Sequence, residues 1–209
     1  SHPGVQEPPL KERNHSSCLV TTCSVTDRRE LANALTRDTT ADTIEMALDF
    51  YMGATPNGWK MSIMLEELRE AAVDLPETRI HMVNLAAGEQ FTPAFTAINP
   101  NQKIPALVDD GRAIMESCAV LHYLGEKFPT PLLPLDERRW DVIPWLYWQA
   151  ANLGPAFGNK LSYTRYIDVP DEAKAHPLER FERESRRLVA ILARRLEQHP
   201  YLCGDTFTV

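Results

Sequence analysis

Three prolines in seven residues, Phe128 to Pro134, split this chain into halves with different hydrophobic spacing. Upstream, short apolar runs alternate with amphipathic ones; downstream, only helical periods remain. Such a pattern predicts an α/β unit followed by an all-α unit. The upstream unit, residues 44–128, reads as βαβαββα with a mixed sheet. Its elements are a strand from Ile44 to Tyr51, a helix from about Asn57 to Ala72, a strand near Arg79 to Asn84, and a short helix from Pro93 to Ala97. A hairpin follows, pairing Ala106–Val108 with Ala113–Met115 through Asp109-Asp110-Gly111-Arg112. Glu116-Ser117 then caps a helix with Val120, Tyr123 and Leu124 on one face. Residues 129–135 form a stiff linker, and residues 136–209 a helical unit, with one helix from Asp136 to about Phe157 and another from Pro177 to His199. Pro144 lies inside the first and predicts a kink near Trp140. Two long helices seldom enclose a core, so the helical unit is expected to be incomplete at its C-terminus.

Residues 1–43 are rich in Ser, Thr, Pro and charge without an apolar period, which predicts a disordered extension. The 209 residues carry a formal net charge of -7, and this acidic balance argues against a nucleic-acid partner, which needs clustered Lys and Arg. No apolar run approaches the roughly 20 residues that cross a bilayer, and no apolar signal segment follows Ser1. A cytoplasmic protein with no membrane partner is expected. Cys18, Cys23, Cys118 and Cys203 lack Cys-x-x-Cys or Cys/His spacing, and His122 stands without partner ligands, so no metal is expected.

Within the α/β unit, Thr55-Pro56-Asn57-Gly58-Trp59-Lys60 reads as a strand turning into a helix. Thr55 has N-cap chemistry, and Pro56 at the first helical position gives up an N–H that has no helical partner. A hydroxyl and an amide therefore stand beside unpaired N–H groups, at the positive end of a dipole of about half an elementary charge. That suits an anion, although a plain capped helix start has the same signature. Trp145, Tyr147 and Trp148 read as helix core rather than as a pocket for an apolar substrate.

Four stretches carry a resemblance to a known family: Thr55-Pro-Asn-Gly before Ile63-Met-Leu-Glu-Glu-Leu, Gly88-Glu-Gln-Phe, Asn99-Pro-Asn-Gln-Lys-Ile-Pro, and Glu116-Ser-Cys-Ala-Val-Leu-His-Tyr-Leu. Trp145-Leu-Tyr-Trp-Gln, Leu153-Gly-Pro and Tyr201-Leu-Cys-Gly-Asp extend it through the helical half. Over about residues 48–209 the chain resembles the cytosolic glutathione transferases, and among them the Nu class and its fungal relatives. The resemblance implies a thioredoxin-like N-terminal domain, a helical C-terminal domain and a homodimer, with glutathione as cosubstrate.

By that resemblance, Thr55 and Asn57 donate hydrogen bonds to the glutathione sulfur, favouring the thiolate and lowering the thiol's pKa from about 8.5 toward neutrality. Ile104-Pro105 matches the family's cis-proline, which would turn the Ile104 backbone toward the cysteinyl unit in the manner of an added strand. Ser117 would receive the γ-glutamyl carboxylate and Glu116 its ammonium. Gln90 and Arg180 match positions that contact glutathione, and Lys103 is within reach of the glycyl carboxylate. Cys118, read as buried packing, lies near enough to that site for a mixed disulfide. The implied activity is glutathione-dependent disulfide reduction, with small disulfides as substrates and hydroperoxides as a side reaction. The alternative is a non-enzymatic glutathione-binding regulatory module of the same fold.

Overall fold

The structure is a computed structural model that describes residues 47–209. The expected disordered extension, residues 1–43, and the start of the Ile44 strand lie outside the described residues. The first described strand, β1 (Ala47–Met52), buries Leu48, Phe50 and Met52 at every second position and leaves Asp49 and Tyr51 half-buried. This is the period of a strand with one face on a core. After the turn comes α1 (Pro56–Glu70), which buries Met61, Met64, Leu65 and Leu68 at helical spacing. Next, β2 (Glu77–Met82) runs parallel to β1, pairing Ala47 with Glu77 and Met52 with Met82. The strand therefore starts two residues earlier than its apolar residues alone suggested, because Glu77 and Thr78 take part in the ladder with β1.

A short 3₁₀ turn (Glu89–Phe91) and α2 (Pro93–Ile98) lead to the hairpin of β3 (Ala106–Asp109) and β4 (Arg112–Met115). The strand order is β2-β1-β3-β4, with β3 antiparallel to both of its neighbours, so the sheet is mixed as expected. Asp110 and Gly111 both have positive φ, 47° and 76°, the backbone of a two-residue hairpin whose twist matches its strands. α3 (Ser117–Lys127) follows, and Leu48, Phe50, Leu65, Leu68, Leu107, Val120 and Leu124 close one core. Fully burying each such side chain contributes about 1.5–3 kcal/mol. At its edge the buried Asp109 carboxylate accepts from Tyr123 Oη at 2.5 Å and from Lys127 Nζ.

The proline-rich segment packs directly on α3. A Cβ on Gly125 would lie 2.7 Å from Leu133 Cβ, so only glycine allows the approach. Beyond it, the single helix expected from Asp136 to Phe157 is three pieces: α4 (Arg139–Trp148), a π-helical turn (Gln149–Leu153) and α5 (Gly154–Arg165). Pro144 is accommodated inside α4, and the departure from α geometry comes at the π turn, where the Gly154 N–H reaches back to the Gln149 carbonyl. Pro155, with no N–H, prevents regular α bonding there.

The last helix, α6 (Asp171–Leu196), begins six residues before the expected Pro177. Asp171 and Glu172 in its first turn suit the positive end of its dipole, and Pro177 falls in its second turn. Packing of α6 on α5 includes the stacked rings of Tyr163 and Phe181, 5.9 Å apart, and the Lys160–Glu182 ion pair. Val209 donates its N–H to the Leu132 carbonyl at 2.9 Å. Among the described residues, no helix is long and apolar enough to cross a membrane.

Candidate functional site

The turn from β1 to α1 is built as a cap. Thr55 has extended backbone (φ −131°, ψ 158°), and its Oγ1 accepts the Gly58 N–H at 3.1 Å. With that lone pair engaged, the hydroxyl keeps its proton to donate elsewhere. A Cβ on Gly58 would lie 2.1 Å from the Gly53 carbonyl oxygen, so glycine lets the helix start press against the end of β1. Asn57, the second helical residue, is exposed and opens into a cleft of about 420 Å³. That volume lies in the range of small-molecule sites.

The floor of the cleft comes from the loop before β3. Asn99, only 1% exposed, donates Nδ2 to the Lys103 carbonyl at 2.6 Å and accepts the Asn101 N–H through Oδ1 at 2.9 Å. This brace holds Lys103, Ile104 and Pro105 against the cleft, and the Ile104–Pro105 bond is cis. Glu116 and Ser117 form the adjacent wall at the start of α3.

Glu116 occupies the cap position expected of that pair, with Ser117 the first helical residue, but no side-chain hydrogen bond completes the cap. Glu116 instead has φ 71°, a left-handed conformation that strains a non-glycine residue by roughly 1–3 kcal/mol. Its carboxylate accepts from Asn101 Nδ2 at 3.2 Å. The buried Ser117 Oγ accepts from Lys60 Nζ at 3.0 Å, so this hydroxyl too keeps its proton to donate, with the Cys118 sulfur an acceptor within the protein.

The opposite wall belongs to the helical half: Gln149 in the π turn, and Gly154, Gly158, Asn159 and Ser162 on α5. Gln149 Oε1 accepts from Lys60 Nζ at 2.8 Å and from Cys118 Sγ at 3.0 Å, tying the two halves at the base of the cleft. Burial holds the Lys60 ammonium below the usual lysine range, against the pull of Cys118 and Glu116. Burial pushes the Cys118 thiol up, with Lys60 opposing. The half-buried Cys118 is not at the cleft surface.

Of the residues singled out from sequence, Asn57, Ile104, Glu116, Ser117 and Lys103 line this cleft together. Thr55 stands half-buried at the same helix mouth without lining it. Gln90, in the 3₁₀ turn, has a buried Oε1 with no partner among the described residues and lies outside the lining. Arg180 is exposed on α6, near Glu184 of the same helix, and does not reach the cleft. Trp145 and Trp148 are half-buried edge to face at 5.3 Å, whereas Tyr147, expected in the helix core, is 70% exposed. None of the three lines the cleft.

His122 Nε2 lies 3.3 Å from Glu126 Oε1. Among the described residues, no cluster of three or more His, Cys, Asp or Glu could hold a metal ion. Lys60, Asn99 and Gln149 stood inside stretches singled out from sequence, but none was given a role there. For Lys60 the available signal was its place one helical turn after Pro56, in the stretch already marked.

Residues 50–132 match the family description "Glutathione S-transferase, N-terminal domain". An uncharacterized GST-like protein of Streptococcus mutans is 37% identical over 170 residues, covering 78% of this chain and 62% of that protein. The disulfide-bond oxidoreductase YfcG of Escherichia coli is 36% identical over 169 residues, covering 78% of this chain and 74% of its own. Among solved structures, a glutathione transferase family member from Pseudomonas fluorescens with two glutathione bound superposes with a TM-score of 0.70 at 32% identity, covering 81% of this chain and 74% of its own. The chain thus spans less than two thirds of the Streptococcus mutans relative but nearly three quarters of the other two. With sequence and fold similar over both halves, the chain belongs to the glutathione transferase family.

Proposed function

We propose that this chain, as a homodimer, binds glutathione in the cleft and uses its thiolate to reduce small disulfides, with hydroperoxides as a second class of substrate. The supporting observation is the gathering of Asn57, Ile104, Glu116 and Ser117, from three separate stretches of sequence, around one polar cleft at two helix starts. In this reading the sulfur lies at the mouth of α1. Thr55, whose hydroxyl already accepts from Gly58 N–H, turns its proton to the sulfur, and Asn57 adds an amide donor. Charge on sulfur is favoured over the neutral thiol by both donors and by the helix dipole. The γ-glutamyl end lies at Ser117 and Glu116, and the Ile104 backbone pairs with the cysteinyl unit. Gln90 and Arg180 remain proposed glutathione contacts, although they lie outside the cleft lining in this chain.

The glutathione thiolate attacks one sulfur of the disulfide, forming a mixed disulfide and releasing the other sulfur as a thiolate. A second glutathione displaces the remaining half and leaves glutathione disulfide. The name of the Escherichia coli relative, a disulfide-bond oxidoreductase, and the two glutathiones in the Pseudomonas fluorescens structure are in keeping with this sequence of steps. Reduction of hydroxyethyl disulfide tests it: the double variant Thr55→Ala, Asn57→Ala is expected to lose about 10²-fold in kcat/KM, as for loss of donors aimed at developing charge. Retention of full activity overturns the roles of these two residues. Glutathione binding without turnover in the unaltered protein favours the regulatory module.

A further inference from the structure

Lys60 is the fifth residue of α1, one turn beyond Pro56 and one turn before the buried Met64. Its side chain is half-buried behind Ser117 and Gln149, which line the cleft, and is itself outside the lining. Two of its three N–H groups go to neutral acceptors, Ser117 Oγ at 3.0 Å and Gln149 Oε1 at 2.8 Å. Among the described residues, no carboxylate comes within ion-pair distance of it; Glu116 acts on it only at longer range. A half-buried charge with neutral partners is expensive unless an anion arrives from outside. The neighbouring hydroxyl, Ser117, is the group placed to receive that anion.

We propose that Lys60 is a positioning residue for glutathione: it fixes the Ser117 hydroxyl as a donor, supplies the positive charge that attracts the ligand's γ-glutamyl carboxylate, and docks Gln149 so that the helical wall closes on the site. This rests on the reading that glutathione occupies the cleft. The three partners come from α1, α3 and the π turn, so one ammonium couples ligand affinity to the seating of the helical half. Lys60 acts through Ser117 and Gln149 rather than on the reacting sulfur, so its loss should fall on binding.

The test is calorimetric titration of the full chain and of Lys60→Met with two probes: glutathione, and an analogue in which 4-aminobutyrate replaces the γ-glutamyl unit and so lacks its α-carboxylate. Lys60→Met is expected to weaken glutathione binding about tenfold or more, with KM raised and kcat nearly unchanged, and to bind the analogue as the parent does. Lys60→Gln, which keeps a donor and drops the charge, should show the same discrimination and covers the case in which Lys60→Met fails to fold. Equal affinity of parent and variants for glutathione overturns the proposal, as does an equal loss on both probes, which would mark Lys60 as merely structural. A parent protein that binds neither probe overturns the glutathione reading itself, and this proposal with it.

Discussion

The two halves of the molecule bury themselves unequally. In the α/β half a continuous set of fully buried side chains, Leu48, Phe50, Leu65, Leu68, Leu107, Val120 and Leu124, joins one sheet to two helices. The helical half has its longest element in α6, 26 residues of which only Ser185 and Leu188 are buried, while Val189 and Leu196 are each 48% exposed. One of its better anchored side chains, Leu146, belongs to the core of the other half. The α/β half therefore closes a core of its own, whereas the helical wall of the cleft is held largely by the packing of α5 on α6, with Leu146 and the Lys60–Gln149 bond as its ties to the other half.

Substitutions can break this comparison or sharpen it. The largest effect is expected from Leu65→Ala, a loss of about 3 kcal/mol that raises amide hydrogen exchange throughout residues 47–209, because it opens the shared core. Leu188→Ala is expected to cost less, about 2 kcal/mol, with faster exchange confined to α5 and α6, since its loosely packed surroundings can collapse onto the space left. If Leu188→Ala instead accelerates exchange in β1 and β3, the halves are more equal than their burial indicates. Gly58→Ala should destabilise by about 2 kcal/mol in urea unfolding, because the new Cβ meets the Gly53 carbonyl, and it should weaken glutathione binding by shifting Asn57.

The smallest effect concerns pH and is confined to the α/β half. Burial, with Asp109 beside it, pushes the Tyr123 hydroxyl up to about 12 from an ordinary 10.0. The folded chain keeps this proton where the unfolded chain has lost it. Its contribution to stability is therefore intact below pH about 10 and declines as pH rises toward about 12. Urea midpoints at pH 9 and pH 11 should differ more for the parent than for Tyr123→Phe.

What the sequence disclosed followed the same division. The α1 start was legible because Thr55 and Pro56 act on backbone atoms within three residues, and the hairpin because Asp110-Gly111 is turn chemistry. The cis bond at Pro105 was expected from family resemblance alone; spacing carried no sign of it. The far wall stayed hidden. Asn159 and Ser162 look like an ordinary solvated helix face, and in the structure each also satisfies itself on its own helix, at the Pro155 and Gly158 carbonyls. Gln149 meets Lys60 across 89 positions, a distance that no local pattern reports. The break between α4 and α5 was missed because Pro144 is the more conspicuous proline, yet it is Pro155 that ends regular bonding.

That π turn leaves one polar atom in an unusual position. Ala150 lies on the cleft wall, and the two residues that would ordinarily donate to its carbonyl are Gly154, whose N–H is committed to Gln149, and Pro155, which has none. The Ala150 carbonyl therefore lacks both of its ordinary helical donors, a property of the backbone that side-chain replacement at position 150 cannot change.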